Sequence, residues 1–199
     1  MNIHSLAAQA NVGEPTKKQA IFDAALELFA DKGFHGTTMP DVADKAAVGA
    51  GTVYRYYESK ETLVNLLYRH WKLEFSGHIM SDLPVGQPTR AMFGVMWRRM
   101  CGFARQHARV VQFLELHHHG GYLDEESVAL EEAVLEPILH FVMAAQRDQA
   151  LRDSNPRVLI AVVYGAFMGL VRGEMSGHLR LTDDVLADAE QCVWEAIRR

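Results

Sequence analysis

Residues 24–63 read AALELFADKGFHGTTMPDVADKAAVGAGTVYRYYESKETL, and this stretch decides the fold. Its front end continues a helical pattern from upstream. Ile21, Ala24, Ala25, Leu28 and Phe29 fall at i, i+3, i+4, i+7 and i+8, a single apolar stripe. Lys17 and Lys18 open that helix, and Gly33 stands where a glycine closes one. Thr38 offers an N-cap, Asp41 follows three positions later as a capping-box acid, and Pro40 is tolerated in a first turn. These signals predict a short second helix over about 40–46, a turn at Gly49-Ala50-Gly51 and a third short helix over about 52–57. A fourth helix, capped by Ser59, carries Leu63, Leu66, Leu67 and Trp71 and ends near Met80.

Two short helices joined by a glycine-containing turn and braced by a longer helix describe a helix-turn-helix. The reading helix must start small so that its backbone approaches phosphate, which suits Gly51 and Thr52. Arg55 has the donor fork for a guanine edge. Tyr54 and Tyr56 join a flat apolar body to a hydroxyl that reaches phosphate. Lys60 opens the next helix, where its charge and the helix N-terminus can together hold a phosphate. Phe22, Phe29, Phe34 and Tyr57 read as core aromatics.

These residues resemble the DNA-binding domain of the TetR (tetracycline-repressor) family. The marks are the A-x-x-L-F-x-x-x-G-F of the first helix, the Gly36-Thr37-Thr38 after it, and the G-T-V-Y-R-Y-Y-x-S-K-E-x-L run from Gly51. The resemblance implies backbone contacts from Thr38, Thr52, Tyr54, Tyr56 and Lys60, and base reading around Gly51, Thr52 and Arg55. The chain departs from the family pattern in three places. The family's turn often carries Ser followed by Lys or Arg, and here those places hold Gly49 and Ala50. Its turn glycine is Ala47, and Pro40 replaces a polar or basic residue.

Bulk charge adds nothing to the DNA argument. The 199 residues carry 20 Lys and Arg against 25 Asp and Glu, a net −5. Residues 1–70 hold 7 of the former and 8 of the latter, so the motif must carry the argument alone. Cys101 and Cys192 are distant in sequence and make no metal spacing, which suits a reducing, cytoplasmic setting. Residues 1–13 lack the basic start and apolar core of a signal peptide and read as a disordered extension. The longest apolar run, between Arg157 and Arg172, is 14 residues, short of the roughly 20 a membrane span needs, so no membrane partner is expected.

Beyond a linker at 81–89 containing Pro84, Gly86 and Pro88, only long helical patterns follow. The expected architecture is all-α with about nine helices. A helix-turn-helix domain occupies 14–62 and a helical ligand-binding and dimerisation body 63–199. Gly120-Gly121 breaks one helix, Asp124 to Glu126 start the next, and Pro137 is expected to kink it. Ala161, Gly165, Gly169 and Gly173 repeat at i+4 and make a small-residue stripe on which another helix can approach closely. Each glycine costs roughly 1 kcal/mol against alanine in a helix, so the stripe has a packing purpose. The last helix has an apolar face of Leu181, Val185, Leu186, Ala189, Val193 and Ile197. The family's dimer is a four-helix bundle of its last two helices, and the resemblance places the homodimer contact on these two; a partner helix within the same chain is the alternative.

Trp97, Met100, Phe113, His117, Phe141, Tyr164 and Phe167 are candidates to line an effector pocket between helices, alongside Phe103 and Met143. His70, Trp71 and Phe75 on the fourth helix are placed to feel such a ligand. His117-His118-His119 lacks a second cluster at metal spacing; no metal or other cofactor is expected. No nucleophile elbow, phosphate loop or HExxH occurs, so no catalytic residue is assigned and the chain is not read as an enzyme. The expectation is a dimeric repressor on a pseudo-palindromic operator of double-stranded DNA, released by a small apolar or aromatic effector. The alternative is a DNA-bound module governed by a protein partner.

Overall fold

The computed structural model describes residues 16–83, 86–116 and 121–199. The N-terminal extension and His117 to Gly120 lie outside them. The described residues form nine α-helices: α1 (Lys17–Lys32), α2 (Met39–Lys45), α3 (Ala50–Tyr56), α4 (Lys60–Met80), α5 (Thr89–Gln106), α6 (Ala108–Leu116), α7 (Glu125–Arg147), α8 (Pro156–Met175) and α9 (Asp183–Ile197). They group into two compact units, one ending at Leu63 and the other beginning at Val64, with α4 contributing to both.

In the first unit, α1 packs on α2 and α3 and buries Ile21, Ala24, Ala25, Leu28 and Phe29, the stripe its spacing predicts. Thr16 caps α1 by accepting from the Gln19 amide. The α1–α2 connection is explained residue by residue. A side chain at Gly36 would drive its Cβ into the Lys32 carbonyl oxygen, so only glycine fits. Thr37 is fully buried, and its hydroxyl lies 3.1 Å from the Leu28 carbonyl oxygen and 2.9 Å from that of Gly33. It thereby satisfies carbonyls that the end of a helix leaves open. Thr38 and Asp41 form the complete capping box. The Gly-Thr-Thr motif thus joins and terminates helices.

The turn between α2 and α3 lies ahead of its glycines, over residues 46–48. Ala50 and Gly51 are already helical, and the left-handed residue is Ala47, at φ 53°. Glycine reaches that conformation freely, whereas alanine is strained there.

In the second unit, α5 packs on α6 and α9, and α8 on α7 and α9. A polar seam joins α4 to the start of α7. Buried Asn65 donates to the Tyr122 carbonyl (2.8 Å) and accepts from the Asp124 amide (2.9 Å) and the Ser127 hydroxyl (2.8 Å). One turn on, Arg69 binds Asp124 at 2.8 Å and the Tyr68 hydroxyl donates to Glu131 at 2.6 Å. Helix α7 continues through Pro137, which lacks the N–H that would otherwise bond residue 133. Leu151 and Arg198 form an isolated antiparallel bridge that pins the α7–α8 connection to the end of α9.

Candidate DNA-reading face and effector cavity

Helix α3 is held by two side chains at i, i+4. Val53 is fully buried, and Tyr57, its C-cap residue, is 2% exposed and stacks on Phe22. That anchoring turns Gly51, Tyr54, Arg55 and Tyr56 outward, with Thr52 half-exposed. Tyr54 is 52% exposed, a large aromatic surface for a soluble face. The Arg55 guanidinium lies 5.1 Å over the Tyr56 ring, so this cation is presented beside an aromatic plane. Gly49 caps α3 with backbone only, and space around the Cβ positions of Gly49 and Gly51 is open.

Two of the expected DNA contacts have duties inside the unit that spacing does not reveal. Thr38 donates its hydroxyl proton to Asp41 at 2.6 Å and accepts from the Asp41 amide at 3.2 Å. That hydroxyl bond, then the Thr38 backbone N–H, hold the Asp41 carboxyl below its ordinary value, against a smaller opposing effect of burial. Lys60 donates to the carbonyls of Phe34 and Thr37 at 2.9 Å each, which leaves one of its three N–H groups for an outside partner.

In the second unit an apolar cavity of about 130 Å³ lies among α4, α5, α7, α8 and α9. Of the sequence candidates, Trp97, Met100, Phe141 and Tyr164 line it. Phe113 and Phe167 do not. Each is 1% exposed, and Phe167 packs behind the wall on Tyr164 and Phe75. Phe103 packs against Phe75 and His107 in the same way. Periodicity marks these residues as inward-facing but not as facing a void. Phe75 lines the cavity, while Trp71 sits edge-on against His70 and tilts against His107. The sequence reading missed Ile79, Phe93, Ile138, Val142, Ile160, Val163 and Trp194, ordinary core types without local signal. His117 lies outside the described residues. Among those residues no group of three His, Cys, Asp or Glu is placed to hold a metal ion.

A second, larger cavity of about 420 Å³ adjoins the first and shares Phe75, Ile79, Ile138, Ile160 and Tyr164 as walls. Its remaining lining includes Lys72, Ser76, Glu131, Glu132 and Arg157.

The small-residue stripe of α8 is exposed at Ala161, Gly165 and Gly169 and half-buried at Gly173, with Val158 and Val162 exposed beside it. The apolar face of α9 is different. Leu181, Val193 and Ile197 are buried within the protomer, and Val185 is half-buried. Val193 is therefore already covered within the protomer. An apolar stripe shows that a helix is covered without saying by what.

Comparison with known proteins agrees with this architecture. Residues 21–67 match the family model for bacterial regulatory proteins of the tetR family, and residues 68–199 match the tetracyclin repressor-like C-terminal domain. The HTH-type transcriptional repressor KstR2 of Rhodococcus jostii is 30% identical over 79 residues, 40% of this chain and 39% of that repressor. The HTH-type regulator YhgD of Bacillus subtilis is 22% identical over 178 residues, 86% of this chain and 91% of its own. A TetR family regulator from Marinobacter aquaeolei superposes with a TM-score of 0.82 at 20% identity, covering 92% of this chain and 95% of that one. A Clostridium perfringens putative fatty acid metabolism regulator does so with a TM-score of 0.77 at 17% identity, covering 88% and 97%. At such identities the superpositions speak for the fold alone. With residues 21–199 covered by the two family models, the chain belongs to the TetR family of transcriptional regulators.

Proposed function

We propose that this regulator is a repressor that binds a pseudo-palindromic operator as a homodimer through α3, and that a small apolar or aromatic effector in the body releases it. The carrying observation is the division of α3. Val53 and Tyr57 hold it from within, while Thr52, Tyr54, Arg55 and Tyr56 are left to a groove. Arg55 reads a base edge. Gly51, Thr52, Tyr54 and Tyr56 set the approach to the phosphates, and the remaining N–H of Lys60 adds one contact. Thr38 chiefly holds α2 in place. The test is selection of bound sequences from a random duplex pool, then titration of the winner with salt. A pseudo-palindrome is expected, with affinity falling steeply as salt rises. Arg55→Ala should cost about 1–3 kcal/mol of operator binding. Unchanged binding by that variant overturns the assignment.

The dimer reading rests on α8. By length and composition this helix is apolar enough to cross a membrane, yet only 22% of its apolar window is buried within the protomer. A second copy covering Val158, Ala161, Val162, Gly165 and Gly169 accounts for that exposure, with Val185 at its edge. Added Cβ atoms at Gly165 and Gly169 meet nothing within the protomer. Gly165→Leu should therefore leave protomer folding intact and weaken the dimer in sedimentation. An unshifted dimer population would remove α8 from the interface.

The apolar cavity favours a small-molecule effector over a protein partner. Release requires the effector to bind one of two states more tightly than the other. Helix α4 offers the route, since Lys60 at its start grips the first unit and Phe75 and Ile79 further on line the cavity.

A further inference from the structure

We infer that the effector is an amphipathic carboxylate, with its apolar part in the inner cavity and its carboxylate received by Lys72; this rests on the effector reading above. The two cavities adjoin, with Phe75, Ile138 and Tyr164 in the walls of both, so a ligand that turns these side chains aside can occupy the two together. The inner part is lined by aromatic and aliphatic side chains. At about 130 Å³ it falls just below the ~150 Å³ class of dry cavity that accepts a benzene ring. The outer part carries the charges.

The arrangement sets both the length and the sign of the ligand. On α4, Lys72 precedes Ile79 by two turns, and on α8 Arg157 precedes Tyr164 by two turns, a rise of ~10 Å in each case. A ring or medium-length alkyl chain spans that interval. The sign comes from burial. Among the four charged residues lining the mouth, Arg157, Glu131 and Glu132 have side chains 56%, 50% and 68% exposed, and Lys72 only 17%. The charge drawn furthest inward is a cation. Among its partners, Glu131 stands at 3.8 Å, beyond hydrogen-bond length, and the Tyr68 ring at 5.5 Å. Glu131 also accepts the Tyr68 hydroxyl at 2.6 Å and keeps that bond when Lys72 turns to a ligand. Glu132 stays with Arg157 at 2.9 Å. A carboxylate on Lys72 thus gains a charge-assisted hydrogen bond in a half-dry site, while Glu131 keeps the Tyr68 hydroxyl and Glu132 keeps Arg157.

The test is calorimetric binding to the full chain of three probes sharing one tail, octanoate, octan-1-ol and octylamine, with 4-phenylbutyrate as the aromatic counterpart. Octanoate should bind about tenfold more tightly than the alcohol or the amine. Lys72→Gln should abolish that preference while octan-1-ol binds as before, which also shows that the variant is folded. Arg157→Gln should keep the preference. Equal binding of acid and alcohol, or a preference that survives Lys72→Gln, overturns the carboxylate assignment and leaves the apolar effector standing. Failure of all four probes to bind at millimolar concentration overturns the effector reading itself.

Discussion

The Lys60 ammonium lies 4.1 Å over the ring of Phe34 and donates to that residue's own carbonyl at 2.9 Å, so one residue holds the cation from two directions. The bond to Thr37 completes the clamp and locks the α1–α2 connection to the start of α4. Lys60→Met should destabilise the protein by roughly 2 kcal/mol through lost charged hydrogen bonds and ring contact. Arg55→Ala should leave stability within about 0.5 kcal/mol, as expected for an exposed side chain. Urea unfolding beside operator binding separates the two. A Lys60 variant that loses affinity with no loss of stability would make Lys60 a DNA contact alone.

The α2–α3 turn stores removable strain at Ala47, whose φ of 53° is costly for any residue with a Cβ. Ala47→Gly should stabilise the protein by about 1 kcal/mol, less the entropy that glycine adds to the unfolded chain. A raised urea midpoint with an unchanged slope is the expected result. A lowered midpoint would mean that the turn relaxes elsewhere.

The capping box makes the start of α2 sensitive to acid. The Asp41 carboxyl is held below its ordinary value of 3.8, chiefly by the Thr38 hydroxyl. A depressed folded-state value adds stability above pH 3.8, and that contribution is lost as pH falls through the lowered value. NMR titration of the Asp41 carboxyl should find its midpoint below that of a model peptide. Thr38→Ala should raise that midpoint toward its ordinary value, with the residue 38 backbone N–H still holding it down in part, and cost about 1 kcal/mol at neutral pH as a lost cap.

The two cysteines should separate cleanly in reactivity. Cys192 is exposed, whereas Cys101 is 4% exposed. Burial pushes the Cys101 thiol up to about 12; Arg105 offsets this in part and Glu190 adds to it. Iodoacetamide at pH 8 should modify one thiol of the folded chain and both after unfolding, read by mass spectrometry. Above the ordinary value of 9.0 the unfolded chain ionises Cys101 and the folded one does not, so stability should fall as pH rises toward 12. Cys101→Ala should flatten that alkaline decline.

Much of the helical framework is local chemistry and is legible without coordinates. The α1 stripe, the capping box at Thr38 and Asp41, the cap at Ser59 and the starts of α7, α8 and α9 each depend on residues within four positions of one another. The outward face of α3 is legible for the same reason, since with Val53 and the C-cap residue Tyr57 turned inward Tyr54, Arg55 and Tyr56 are turned out. The turn before α3 is the exception. Glycines at 49 and 51 draw the eye, yet the positive φ falls on Ala47, the place the resemblance gives to the family's turn glycine, because the last hydrogen bonds of α2, from the Ala46 and Val48 amides, fix where the chain must reverse.

By itself, then, the sequence determined the helices, their caps and the outward face of α3, all of which follow from short-range spacing, and its motifs carried the resemblance to the family. Only the tertiary structure decided what each apolar face touches. Val193 and Gly169 both sit on recognisable stripes, but α9 turns Val193 into its own protomer and α8 leaves Gly169 open. Trp97 and Phe113 are equally buried, but only Trp97 borders the void. Periodicity measures direction around one helix axis, whereas a cavity, a clamp such as that of Lys60 on Phe34, or an uncovered face depends on where distant helices pack, which no local pattern encodes.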